Sequence, residues 1–320
     1  MAALVHFFKQ LFIDVFTVCR NLFRVMIPIL IIIKVATEFG AIELFAEAIS
    51  PLMGSIGLPG EMGLVWATTL LTNMYGGMVV LVTAEAQLTV AQMTTLFALS
   101  LVAHGLPIEG AIARQAGMRW GMILLSRIGG GFLLAWFTMH YYQSMGIGQE
   151  VAQLMWHATP PPATLMEWAQ QQIENLAMIA VIIFVLLLAL RVLSLLGVDL
   201  LMAKFLSPML RLMGISKQAT NLAMIGITVG LAYGGALLVQ DARSGKVSKR
   251  DLFSVVLLLN LMHGIIEDLL LVAVTGADVG YLFWSRLIMA MTITGVVSHS
   301  LRLTSESFRN RWLYRDVGAT

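Results

Sequence analysis

His104 and His263 each precede a glycine, and carboxylates follow each within about a turn and a half of helix: Glu109 after the first, Glu267 and Asp268 after the second. All five stand in otherwise almost wholly apolar runs. Ionisable side chains in such runs are costly unless they face a cavity or a partner. An imidazole beside a carboxylate suits a proton relay, and carboxylates beside loosened backbone carbonyls suit Na+. His104 and His263 are therefore candidates for substrate contact, and Glu109, Glu267 and Asp268 for holding a coupling ion or proton. The competing reading is internal charge pairing. Ser126-Arg127 and Ser285-Arg286 occupy matching places in the runs that follow, which makes Arg127 and Arg286 candidate structural partners of Glu109 and Asp268. Nothing resembles a nucleophile–base pair, and no metal triad stands outside these clusters, so no enzyme, no cofactor and no metal is expected.

A second group of residues could contact a solute through backbone and side chain: Thr72, Asn73, Tyr75, Gly76 and Gly77 in one segment, and Thr228, Gly230, Tyr233, Gly234 and Gly235 in another. Glycine permits the turn. A helix leaving such a turn starts with unpaired N–H groups at the positive end of its dipole, and the arriving helix leaves unpaired carbonyls. The plainer reading is a tight turn anchored by an aromatic ring.

The elements that must position these residues are membrane-embedded. Of the 320 residues 58% are hydrophobic and only 12% charged, and the mean hydropathy is +0.85; soluble domains carry roughly 25% charged residues. That excludes a soluble enzyme and a nucleic-acid binder, and the lone Cys19 excludes a disulfide scaffold. The first twenty residues lack an apolar core with a small-residue cleavage site. Phe7, Phe8, Leu11, Phe12, Val15 and Phe16 instead fall at helical spacing, which predicts an interfacial amphipathic helix over 1–16.

The chain repeats itself. Lys34-Val35 falls on Arg191-Val192, Gly40 on Gly197, Ser50-Pro51 on Ser207-Pro208 and Gly57 on Gly214. With small shifts, Tyr75-Gly76-Gly77 falls on Tyr233-Gly234-Gly235, His104-Gly105 on His263-Gly264, Glu109 on Asp268 and Ser126-Arg127 on Ser285-Arg286. Matches at Pro, Gly-Gly, His-Gly and Ser-Arg point to duplication, because they do not follow from shared apolar composition. Each copy has a span (17–36; 173–192), a short amphipathic stretch, a glycine-interrupted segment (58–86; 216–242) and two more spans (88–112 with 118–142; 250–275 with 280–302).

Charge decides the topology. No Lys or Arg occurs from Val35 to Ala113 or from Ile128 to Leu190, whereas basic residues cluster at 114–119, 191–217, 243–250 and in the tail. Basic loops prefer the cytoplasm. The pattern fits if each glycine-interrupted segment is a re-entrant hairpin, the first opening outward and the second inward. An arm of about eleven residues spans ~16 Å, close to half the hydrocarbon core. The expected fold is an all-α integral membrane protein with an inverted-topology repeat, about six spans plus two opposed re-entrant hairpins, each followed by a broken span. Pro107 should break the span after His104; His263-Gly264 has no proline. The expected layout is an interfacial helix over 1–16, a first repeat over 17–142, an extracytoplasmic linker over 143–172, an inverted second repeat over 173–302 and a cytoplasmic tail over 303–320. A single long tilted helix in place of each hairpin is the alternative.

This pattern of span, hairpin, broken span and span, present twice, resembles the Gate or nucleoside-recognition family, which includes concentrative nucleoside transporters, the membrane part of the ferrous-iron transporter and spore maturation proteins A and B. The resemblance rests on Ser50-Pro51, Tyr75-Gly76-Gly77, His104-Gly105 and Glu109 with their second-copy partners. In the nucleoside transporters substrate lies between hairpin tips and the unwound spans after them, which implies Thr72, Asn73, His104, Thr228, Gly230 and His263 here. The expected function is a secondary transporter of the cytoplasmic (inner) membrane, both termini cytoplasmic. It would move a small polar, nucleoside-like solute with Na+ or H+ as coupling ion, by alternating access of the hairpins. Expected partners are the solute, the lipid bilayer and further copies of the chain, and no nucleic acid. A passive channel and a non-transporting envelope-assembly scaffold are the alternatives.

Overall fold

The computed structural model describes residues 2–84, 86–155, 163–229, 238–240, 242–243 and 247–315. Among them every regular element is a helix. The first half holds α1 (Ala2–Glu38), α2 (Ala41–Gly54), α3 (Met62–Leu71), α4 (Met74–Thr83), α5 (Val90–Val102), α6 (Leu106–Gln115), α7 (Trp120–Leu124), a π turn over Leu125–Gly129, and α8 (Gly130–Met145). The second half holds α9 (Leu165–Leu195), α10 (Val198–Leu212), α11 (Lys217–Val229), α12 (Lys249–Leu261), α13 (Ile265–Val272) with a 3-10 turn over Ala273–Thr275, α14 (Val279–Ser300) and the short α15 (Glu306–Trp312).

Five helical stretches among the described residues are long and apolar enough to cross a membrane: Val90–Gln115, Trp120–Met145, Leu165–Leu195, Lys249–Thr275 and Val279–Ser300. The chain is an all-α membrane protein. The first expected span, 17–36, lies inside α1, which is not among the five. Arg20, Arg24 and Lys34 interrupt its apolar run, and Lys34 reaches Glu38 at 2.5 Å one turn on. No glycine divides α1 near residue 16, and the helix runs on without a break.

Local signals start corresponding helices alike. Thr89 caps α5, accepting from the Gln92 amide at 3.2 Å while the Gln92 side chain accepts from Thr89 N–H at 3.1 Å. Ser248 caps α12, accepting from the Asp251 amide at 3.1 Å. Each such cap contributes about 1 kcal/mol. Helix α8 lies tightly on α5 because Gly131 has no side chain: a Cβ there would sit 3.0 Å from the Leu99 carbonyl. Small residues let membrane helices approach closely in this way.

Contacts define the two ends of the bundle. At one end the Gly57 carbonyl accepts from Gln92 at the start of α5 (3.4 Å), the Ala152 amide donates to Leu88 O (2.9 Å), and Tyr142 donates to Asp278 before α14 (2.9 Å). At the other end the matching Gly214 carbonyl faces Arg250 at the start of α12 (3.5 Å), and Arg119 before α7 donates to Tyr314 O (2.8 Å). The α5–α6 stretch thus starts at the first end and the α12–α13 stretch at the second. Helices α1 and α9 run antiparallel: Asp14 pairs with Arg191, while a cavity near the other end of the pair brings Lys34 and Thr37 beside Gln172 and Asn175.

Candidate functional site

Both broken stretches unwind at the His-Gly step. Helix α5 ends at Val102, and Gly105 takes a left-handed conformation (φ 56°) before α6; α12 ends at Leu261, and Gly264 does the same (φ 54°) before α13. L-residues with a Cβ resist that conformation by roughly 1–2 kcal/mol. Pro107 stands in the first turn of α6, where its missing N–H costs nothing. The second break forms without any proline, so glycine rather than proline is the common device.

The two breaks meet. His104 and His263 are both buried, with Nε2 atoms 3.1 Å apart and ring centroids 4.9 Å apart. Each Nδ1 faces the carbonyl four residues earlier: His104 that of Ser100 at 3.0 Å, His263 that of Leu259 at 2.7 Å. Glu109 reaches over both rings, with Oε1 3.4 Å from His104 Nε2 and Oε2 3.2 Å from His263 Nε2.

Two fully buried arginines hold the unwound turns and the carboxylates together. Arg127, on the π turn between α7 and α8, donates to the His104 carbonyl and lies 2.6 Å from Glu109 Oε2. Arg286, on α14, donates to the Leu261 carbonyl (3.0 Å), the His263 carbonyl (3.2 Å) and Asp268 Oδ2 (3.1 Å). Each arginine thereby satisfies a carbonyl freed by the break and a carboxylate placed a turn further on. An uncompensated charge at such depth would be expensive, so the four charges support one another.

The α3–α4 pair forms the first hairpin, ten residues per arm. Asn73 is extended at its tip and its side-chain oxygen accepts from Gly76 N–H at 2.9 Å, while Thr72 Oγ1 donates to Thr68 O at 2.6 Å. Gly76 and Gly77 let the arms touch: a Cβ on Gly77 would overlap Thr69 Oγ1 and lie 3.3 Å from Val65 O. Tyr75, half-buried, packs beside the α1–α9 contact. The hairpin abuts the first break, because the Gly105 amide donates to Thr69 O at 3.1 Å.

The structure therefore brings together His104, Glu109, Arg127, His263, Asp268 and Arg286, with Glu267 half-buried beside Asp268. Glu109 and Asp268, expected as coupling-ion residues, are each engaged by an arginine. Thr72 and Asn73 are spent on capping their own hairpin. Thr228 lies on the backbone of α11, and Gly230, Tyr233, Gly234 and Gly235 fall outside the described residues.

Other polar residues went unremarked in the sequence. Asn260, fully buried one turn before His263, donates to Ser126 Oγ at 3.1 Å and ties the two halves together. A lone amide in the run Val255–Met262 was the available signal. Buried Gln172 and Asn175 line a cavity of about 320 Å3 with Lys34, Thr37, Glu61 and Thr83, between α1, the hairpin and α9.

Residues 19–119 match the family model described as Gate, nucleoside recognition. Over 284 residues, 87% of this chain and 89% of the relative, the chain is 27% identical to a Bacillus subtilis (strain 168) protein described as uncharacterized membrane protein YvoD. No solved structure matches it significantly. The chain is a membrane protein that is similar, over residues 19–119, to the Gate (nucleoside recognition) family.

Proposed function

We propose that the chain is a secondary transporter that moves a small polar, nucleoside-like solute across the cytoplasmic membrane, coupled to H+ or Na+. The observation that carries this reading is the meeting of two unwound His-Gly turns, one per half, inside apolar spans. Irregular backbone at membrane depth survives where it is buried in protein or lines a cavity. Broken helices from two repeats facing each other are the architecture of solute sites in transporters.

Support for inverted copies comes from the antiparallel α1 and α9 and from the capped starts of α5 and α12 at opposite ends of the bundle. In this reading the hairpin formed by α3 and α4 opens outward and α11 begins its counterpart from the cytoplasmic side. Glu109, Glu267 and Asp268 are the groups a coupling cation meets, and Arg127 and Arg286 hold two of them in register. Solute would bind between the tip of the α3–α4 hairpin and the two histidines, and hairpin movement would expose it to alternate faces.

Counterflow in proteoliposomes with nucleosides, bases and amino acids tests the proposal. Saturable flux that depends on an imposed Na+ or proton gradient is expected. His104→Ala and Glu109→Gln should each lower it at least about tenfold, in line with ~1.5–3 kcal/mol for a hydrogen bond to a charged group. Absence of saturable flux with every class would overturn the proposal. Flux indifferent to both gradients would replace it with a passive channel, and intact cellular function in both variants with a scaffold.

A further inference from the structure

The histidine pair has more acceptors than donors. A carbonyl can only accept, so the contacts to Ser100 O and Leu259 O place the hydrogen of each neutral ring on Nδ1 and leave each Nε2 a bare lone pair. Those two lone pairs face each other at 3.1 Å, and the Glu109 oxygens, also acceptors, stand 3.4 and 3.2 Å away. Glu109 Oε2 is buried and lies 2.6 Å from the Arg127 guanidinium, without a well-aligned hydrogen bond from it. Two ring lone pairs and a carboxylate converge, with the Arg127 guanidinium beside one carboxylate oxygen, and a cation seated among them would turn the remaining repulsion into attraction.

We propose that His104 and His263, completed by the Glu109 and Asp268 carboxylates, hold one divalent transition-metal ion of the zinc class. Ligand bonds of about 2.0–2.1 Å to nitrogen and oxygen give tetrahedral edges of ~3.3 Å, close to the observed separations of 3.1, 3.2 and 3.4 Å. Donor atoms of His104, His263 and Asp268 all lie within 4.8 Å of one another. The outer shell also has the form of a metal site. Ligating histidines characteristically donate their second ring N–H to a backbone carbonyl, and ligating carboxylates are themselves hydrogen-bonded. Here both Nδ1 atoms face carbonyls, and Arg127 and Arg286 engage the two carboxylates. The ion would tie the two halves together at their equivalent residues. Binding of the ion does not require solute transport, and its test reads metal directly.

The protein, purified in detergent through a tag free of histidine, would be dialysed against Zn2+ and, separately, Co2+, and its metal counted by mass spectrometry. One equivalent per chain is expected. His104→Ala and His263→Ala should each weaken binding by at least roughly tenfold, the smaller effect of losing even an outer-shell partner, while the exposed His140→Ala and His299→Ala should retain it. X-ray absorption of the unmodified zinc-loaded protein should show two imidazoles with oxygen ligands, a readout that needs no variant to fold. Less than a tenth of an equivalent, or a metal shell without imidazole, would overturn the proposal. In the former case a proton shared between the rings would be what reconciles the lone pairs.

Discussion

Arg127→Met is expected to cost about 3–5 kcal/mol of stability, the penalty for leaving a buried partner charge uncompensated. The guanidinium is fully buried, sits 2.6 Å from Glu109 and also serves the His104 carbonyl at the break. Its loss strands a carboxylate whose side chain is only 12% exposed, together with an unwound carbonyl. Thermal unfolding in detergent and metal-free buffer reads the change. The second half offers the parallel case, in which Arg286→Met strands Asp268 and two carbonyls. The double variant Arg127→Met/Glu109→Met should recover most of the loss, because replacing a whole buried pair by apolar groups is often near neutral. Unchanged unfolding in Arg127→Met would mean that the pair does not hold the break together.

Gly77→Val should disable the hairpin. Its Cβ would overlap Thr69 Oγ1 and lie 3.0 Å from Thr69 Cβ and 3.3 Å from the Val65 carbonyl, so backbone as well as side chain must yield. Overpacking of this kind costs typically about 1–3 kcal/mol and occasionally more. Because Thr69 O also accepts from the Gly105 amide, displacement of α3 is passed straight to the His104 break, and solute flux should fall with stability. Gly121→Ala is the control: a Cβ there meets nothing within 4 Å, and removing a helical glycine should be neutral or stabilising by up to about 1 kcal/mol. Equal behaviour of the two variants in unfolding and flux would remove the hairpin from the account.

Much of this arrangement is legible in the sequence. The His-Gly steps announced breaks because glycine releases the backbone, and matching Ser-Arg dipeptides announced partners for the carboxylates. Pro107 drew attention to the first break and away from the second. Gly264 makes the same left-handed turn unaided, so the stronger local signal was not the causal one. The interfacial helix expected over 1–16 and the span expected over 17–36 lie on one continuous helix, because a helix needs only the absence of a breaker, and α1 has none near residue 16. Contact between His104 and His263 could not be read from local sequence at all. It depends on how the two halves dock, and only their repeat relationship hinted that equivalent residues would face each other. Asn260, Gln172 and Asn175 were overlooked for a related reason: a single amide in or beside an apolar run declares its burial cost but not its partner.

Sidedness of the α3 and α11 starts tests the proposed inverted arrangement most directly. In a Cys19→Ser background, Glu61→Cys marks the residue before α3 and Lys217→Cys the start of α11, both exposed. A membrane-impermeant thiol reagent applied to intact cells should label Glu61→Cys and should reach Lys217→Cys only after the membrane is opened. Labelling of both positions from one face would contradict the proposed inverted copies, and with them the solute site proposed where the broken spans meet.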